Sequence, residues 1–479
     1  MVFNSFNFWL IFPFIFILYW GIPSKFNRVR NGFLLLVSYL LYMNWKPAFA
    51  LVLAGVTLIT YMGGGILCNS NGSRKKNLCW CFAIIGLLPL LVFKYYNFLN
   101  DSMTGVLETC GLHFALPGLN WAIPVGISFF TFQAVGYLLD VYHQRVPAEM
   151  NFWDYALFVS FFPQVISGPI STAKDLMPQI KASHAFCYEQ GRDGLQMLLW
   201  GMFCKLVIAD RLGMFVDTVY ANYEHYSGNT CLVASIFYTI QIYCDFAGYS
   251  LMAIGIARTL GFDLINNFER PYLAASVTEF WKRWHISLTQ WLTTHVYINL
   301  GGNRCSKMRQ YMNIMITFLV SGVWHGSNWT FIVWGALHGL FQIVEKTLMG
   351  DKLKVEMKQG RAKMTAIRLV RIFITFNLVS FAWIFFKMPT LNMAFSIIKK
   401  MFIDKGAVDL AGTYNGSAPI LILALSIPLL LLKDISDETG LFARIRKFAS
   451  IRWFCYVLLF ILILSLGVLD GGQFIYVSF

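Results

Sequence analysis

Apolar runs near membrane-spanning length, about 20 residues for a helix, alternate with short basic clusters along most of the chain. Phe6 to Gly21 is the first, followed by Lys25, Arg28 and Arg30. No basic region precedes it and no small-residue cleavage site follows, so the pattern predicts a retained helix with its N-terminus outside. Gly32–Trp45 and Ala48–Leu67 form a short pair around Lys46-Pro47 and return the chain to Arg74-Lys75-Lys76 on the inside. Leu78–Leu99 leads out, residues 100–120 form an external loop, and Trp121–Tyr142 comes back to Arg145. Leu195–Phe215 goes outward despite Lys205, Asp210 and Arg211, and Val233–Ala257 returns. After a long inner region, Ile372–Phe386 leads out to an external loop ending near Ala418, Pro419–Leu432 goes in and Phe454–Leu469 goes out. Charge and length rules then give about ten full crossings and two re-entrant pieces, with both termini extracytoplasmic.

The two re-entrant pieces are expected for different reasons. Phe152 to Thr172 is apolar, but basic residues flank it on both sides and Pro163 and Pro169 interrupt its helix. It reads as a broken, buried segment lining a tunnel, or alternatively as a kinked span; irregular backbone at membrane depth persists only inside protein or along a cavity. Met312–Val344 lies between Arg304, Lys307 and Arg309 on one side and Lys346 to Lys363 on the other. It must enter and return, yet two full crossings need about 40 residues. A hairpin turning at Trp324-His325-Gly326-Ser327-Asn328 is predicted. Sixteen helical residues from Arg309 carry His325 about 24 Å into a hydrocarbon core of about 30 Å.

Composition agrees with this pattern. The 479 residues are 57% hydrophobic and 13% charged, against about 45–50% and 25% in soluble domains. The fold class is therefore an all-α polytopic membrane protein, read as one integral domain with N-terminal helices (1–120), a core (121–347) and C-terminal helices with an aromatic tail (348–479). The net charge of +14 comes from clusters at span ends, which argues for membrane orientation and against nucleic acid. Ten cysteines lie mostly in apolar segments and show neither disulfide nor zinc spacing, so no metal is expected.

Candidate chemistry concentrates between Asn267 and Lys346. Ser276-Val-Thr-Glu279 is a capping-box start for one helix whose Trp281, Trp284, Leu288 and Trp291 form an apolar stripe and whose Lys282 and Arg283 form a charged face. That face suits an interfacial anchor or a receiver of the phosphates of a nucleotide-bearing donor, and charge placement alone does not separate them. His285 and His325 lie in tryptophan-rich surroundings. An intramembrane histidine is either a satisfied structural residue or a functional one. Desolvation favours a neutral imidazole, the form a general base needs, and a site closed to water protects a thioester from hydrolysis. Asp245, inside Tyr243-Cys-Asp-Phe-Ala-Gly-Tyr249, is a buried carboxylate with the same two readings.

Seven segments together carry a family resemblance: Ile123-Pro-Val-Gly-Ile-Ser-Phe-Phe-Thr-Phe-Gln133, Phe161-Phe-Pro-Gln-Val-Ile-Ser-Gly-Pro169, Tyr243–Tyr249, Glu279-Phe-Trp-Lys-Arg-Trp-His285, Leu300-Gly-Gly-Asn-Arg304, Val323-Trp-His-Gly326, and the tail Phe474-Ile-Tyr-Val-Ser-Phe479. The chain resembles the membrane-bound O-acyltransferase (MBOAT) family, in its bacterial alginate and peptidoglycan O-acetyltransferase branch. The resemblance implies a helical bundle with funnels meeting at a central tunnel, His325 as the catalytic histidine and His285 as its recurrent companion. It implies Tyr476 as an acyl relay, with docking of the tail as the alternative. Trp324, Asn328, Asp245, Trp284, Lys282, Arg283 and Arg304 are the candidate donor or tunnel residues. It further implies acetyl-CoA as donor, no resident cofactor, a polysaccharide acceptor, an extracytoplasmic acetyltransferase partner and a place among the lipids of the cytoplasmic membrane. D-alanyl transfer to teichoic acid is the alternative within the family, and a transporter or scaffold is the alternative outside it. The chain departs from the family pattern at Thr293-Thr-His295, where a charged pair is usual, and at Leu251, where an acid is usual.

Overall fold

The computed structural model describes residues 3, 5–112, 116–350, 365–410, 418–441 and 448–468, and among these every regular element is helical. Five helices are long and apolar enough to cross a membrane: Pro47–Cys68, Gly72–Thr109, Gly228–Thr259, Ala366–Lys387 and Ala449–Leu466. Asn7–Gly21 and Ser24–Met43, bent from each other by 103°, reach that length and apolarity only when taken together. By length and composition this is a smaller set than the ten crossings expected. Several expected spans are helices broken by a turn or carrying charge, as at Phe203–Ala209, where a π-helical turn holds Lys205.

The chain forms two compact units. The first comprises Met1–Leu198 and Ala253–Ile265. It contains α1 (Phe6–Gly21), α2 (Asn27–Met43), α3 (Pro47–Cys68), α4 (Gly72–Leu90) and α5 (Tyr96–Thr109). A π-helical turn at Leu91–Tyr95 joins α4 to α5, so helix continues to Thr109 through part of the expected external loop. α6 (Ile127–Tyr142) follows, buried along most of its length. α7 (Phe152–Ser160) stops where Pro163 approaches, and backbone without regular structure runs to α8 (Ala173–Lys181). That irregular stretch is buried from Phe161 to Ser171, as predicted for a broken segment, and several of its polar groups are met inside the protein. Phe162 N donates to Ser38 Oγ at 3.1 Å, and the Gln133 and Gln164 amides both donate to Phe158 O, at 2.6 and 2.9 Å. Gly126, at φ +74°, lies so close beneath it that a Cβ would come within 2.3 Å of Val165 O.

α9 (Tyr188–Met202) leads into the second unit, Leu199–Met252 and Asn266–Phe479. Here stand α10 (Asp210–Ala221), most of α11 (Gly228–Thr259), α12 (Val277–Arg283), α13 (Ile286–Leu292), α14 (Lys307–His325) and α15 (Trp329–Met349). α16 (Ala366–Lys387), α17 (Leu391–Ile403), α18 (Ala418–Thr439) and α19 (Ala449–Leu466) complete it. α17, capped by Thr390, occupies part of the expected external loop after Phe386. The π-helical turn before α10 places the Lys205 ammonium 2.5 Å from Asp245 and 2.7 Å from Asp210, all three buried. A buried cation between two carboxylates offsets desolvation that none of the three would survive alone.

The hairpin turns at Gly326–Asn328, inside the predicted tip. Its arms are longer than the apolar run alone suggests. At 19 and 21 residues they measure about 28 and 31 Å at 1.5 Å per residue, because each helix continues into its basic flank. Small residues let the arms approach: a Cβ on Gly322 would lie 2.3 Å from Phe331 O, and one on Gly335 2.4 Å from Phe318 O. Such backbone proximity is how membrane helices gain packing without a hydrophobic driving force. Gly322→Ala is expected to cost about 1–3 kcal/mol, read as a lower thermal midpoint of the detergent-solubilised protein; an unchanged midpoint would refute the tight packing.

Candidate active site

Three short pieces of backbone bring the histidines together. α12 begins at the predicted cap, where Ser276 Oγ accepts from Glu279 N at 2.9 Å. It does not continue as the expected single helix. The chain breaks after Arg283, His285 takes φ +44°, and α13 starts in a new direction. The first donors of α13 are met from an irregular segment eighteen residues before His285: Ile286 N donates to Asn267 O at 2.9 Å and Ser287 N to Asn267 Oδ1 at 3.1 Å. The third piece is the end of α14, which delivers Trp324 and His325.

His285 and His325 are both buried, with ring centroids 6.2 Å apart. His325 is enclosed by aromatic rings: Trp324 and Trp334 each at 4.9 Å and Phe386 at 5.2 Å. His285 meets Phe246 at 4.7 Å and Trp324 at 5.6 Å. The surroundings are aromatic and buried, with edge-to-face ring contacts on both imidazoles.

The other predicted residues divide by position. Trp324 touches both histidines. Trp284, fully buried, packs on Trp383 at 5.1 Å and Phe268 at 5.0 Å and supports His285 through the chain. Asn328 caps α15 by accepting from Thr330 N at 3.2 Å, and it donates to Pro389 O at 2.5 Å. Asp245 belongs to the Lys205 cluster, one residue before Phe246. Of the charged face expected on α12, only Lys282 is exposed. Arg283 is buried and donates to Glu279 at 2.5 Å and Glu438 at 2.9 Å, because a guanidinium that deep requires carboxylates. Arg304 is exposed on the turn that follows Gly301 and Gly302, both at positive φ. Tyr476 lies outside the described residues.

A cavity of about 340 Å³ opens beside this centre, within the second unit. Lys282, Lys346, Trp281, Tyr297, Phe318 and Ser321 are among the residues that line it. Ser321 precedes His325 by four residues on α14, about 6 Å along the axis. Its volume falls in the range of about 300–1,000 Å³ typical of small-molecule pockets.

A family model described as the membrane-bound O-acyltransferase family matches residues 141–387, just over half of the chain and the whole of this centre. The chain belongs to the membrane-bound O-acyltransferase family. It is similar to the probable alginate O-acetylase AlgI of Pseudomonas aeruginosa, with 36% identity over 84% of this chain and 75% of that protein. The peptidoglycan O-acetyltransferase of Helicobacter pylori is 34% identical over 77% of this chain and 73% of its own length. The teichoic acid D-alanyltransferase of Bacillus subtilis is 23% identical over 76% and 92% respectively. This chain is thus a multi-pass membrane O-acyltransferase.

Several residues that shape the centre of this O-acyltransferase carried little signal in its sequence. Trp383 and Phe386 sit in the uniformly apolar run Ile372–Phe386, where nothing distinguishes one face from another. His338 accepts from Trp281 Nε1 at 3.2 Å and meets Trp334 edge-to-face at 5.0 Å; its spacing of thirteen from His325 has no helical meaning across a turn. Asn267 stood only as the boundary of the histidine-bearing stretch.

Proposed function

We propose that this O-acyltransferase takes an acetyl group from cytoplasmic acetyl-CoA and passes it across the cytoplasmic membrane for O-acetylation of an exported polysaccharide. The observation that carries the reading is the buried His285–His325 pair beside a cavity lined by Lys282, Lys346 and Ser321, the last one turn before His325. The diphosphate of the donor meets Lys282 and Lys346, and the acetyl-bearing arm enters among Trp281, Phe318 and Ser321. The acceptor hydroxyl loses its proton to the His325 imidazole as its oxygen attacks the thioester carbonyl. The C–S bond then breaks, a C–O ester forms, and the proton passes to the departing sulfur to leave the free thiol. Exclusion of water protects the thioester while it waits. An extracytoplasmic acetyltransferase completes delivery to the polymer, and both termini lie on that outer side. The identities in the alginate and peptidoglycan O-acetyltransferase branch, well above those to teichoic acid D-alanyltransferases, support acetyl as the group moved.

Reversing both charges, Lys282→Glu with Lys346→Glu, is expected to raise KM for acetyl-CoA at least about tenfold, the loss of roughly 1.4 kcal/mol, with little change in kcat. KM for S-acetyl-pantetheine, which lacks the nucleotide, should stay put. Equal effects on both donors would place the phosphates elsewhere.

A further inference from the structure

We infer that Asn267 is a positioning residue that fixes the tautomer of His285, holding the proton on Nδ1 and making Nε2 the basic nitrogen of the ring. The inference rests on the proposed reading only for its functional consequence, because the tautomer follows from hydrogen-bond geometry alone. Oxygen and nitrogen of an asparagine amide are ordinarily hard to tell apart. Here a backbone donor settles the matter: Ser287 N–H, which can only donate, points at Asn267 Oδ1 from 3.1 Å. Ser287 Oγ stands 2.9 Å from the same oxygen, and Asn267 Nδ2 is turned the other way, donating to Ser250 Oγ at 3.3 Å. His285 Nδ1 lies 3.2 Å from Oδ1. Two acceptor lone pairs would repel at that distance, so Nδ1 carries hydrogen, and a neutral imidazole with Nδ1–H has its lone pair on Nε2.

The backbone makes this arrangement necessary. His285 occupies the N-cap position of α13 in the left-handed region, and its side chain makes no capping bond. Asn267 supplies both the main-chain oxygen for Ile286 N and the side-chain oxygen for Ser287 N. One residue therefore closes the helix start and orients the imidazole beside it. Within the pair, His285 becomes an acceptor of a hydrogen bond or proton, so that its role is set before any substrate arrives.

Capping alone would account for the bonds to Ile286 and Ser287, so the test reads the proton. The full-length protein, with 15N-labelled histidine and reconstituted in lipid bilayers, is examined by solid-state NMR, and the His285 signals are assigned by their loss in His285→Gln. The expected spectrum shows one-bond N–H coupling at Nδ1 and none at Nε2. Asn267→Asp, which keeps the oxygen, preserves that pattern and most of the activity. Asn267→Ala moves the proton to Nε2 or mixes the forms and lowers kcat at least about tenfold, part of the roughly 10²–10⁴ that acid–base catalysis supplies, without raising KM for acetyl-CoA. Protonated Nε2 in the wild type overturns the inference even if no Asn267 variant folds, and an unmoved proton in Asn267→Ala does so as well. Full turnover by His285→Gln would instead defeat the functional reading of His285 while the spectrum still decides the tautomer.

Discussion

Replacing His325 with glutamine lowers acetyl transfer about 10²–10⁴-fold, the usual contribution of a positioned acid–base group, with the protein still folded in the membrane. Glutamine retains the bulk that Trp324, Trp334 and Phe386 pack against but cannot take a proton at neutral pH. Alanine loses the same activity and, in addition, opens a cavity among those rings at a cost of about 2–5 kcal/mol. The two variants therefore separate chemistry from packing. Rates are measured with acetyl-CoA and a soluble acceptor, and stability as a thermal midpoint at equal protein. Near-normal transfer by His325→Gln would remove His325 from the chemistry and leave it a packing residue.

Glu438→Gln is expected to destabilise the second unit by about 3–5 kcal/mol, the range for breaking a buried ion pair from one side. The Glu438 side chain is 1% exposed and accepts from Arg270 at 3.0 Å, from Arg283 at 2.9 Å and from Arg368 at 3.4 Å. Through these bonds α18 is tied to the end of α12 and to α16, the elements on either side of Trp284. Glu438 lies on the polar end of α18, past its apolar run. Burial pushes its carboxyl up, but the hydrogen bond and charge of Arg283, joined by Arg270 and Arg368, outweigh burial and hold it below the usual carboxylate range. A depressed carboxylate contributes stability that is complete above its unfolded pKa of about 4.3 and is lost as pH falls through the folded value. The wild-type midpoint should accordingly fall on acidification below about pH 4, and more steeply than that of Glu438→Gln. Equal midpoints at neutral pH would show that the three arginines are satisfied without it.

The hairpin was legible because it depends on quantities a sequence displays: an apolar run, its length and the sign of charge at both ends. Those fixed the turn near Trp324–Asn328 and thereby the placement of His325. The broken segment after Ser160 was legible for a related reason, since Pro163 and Pro169 stop a helix wherever they stand. His285 was found, but its setting was not. The pattern from Val277 to Trp291 is helical without interruption, and what breaks it is a set of bonds from Asn267, eighteen residues earlier, which no local periodicity reports. Arg283 was misplaced on an exposed face for the same reason: its partner Glu438 lies 155 residues away. The charge rules also could not see that Lys205 and Asp245, which they read as charges along two separate spans, join inside the protein.

The most direct test of the central claim is the ester content of exported cell-envelope polymers, measured by NMR in cells lacking this chain and in the same cells complemented with the wild-type protein or with His325→Gln at equal membrane abundance. Acetyl esters on one polymer are expected to disappear on deletion, return with the wild type and stay absent with His325→Gln. Unchanged acetyl esters, with D-alanyl esters lost in their place, would contradict the central claim.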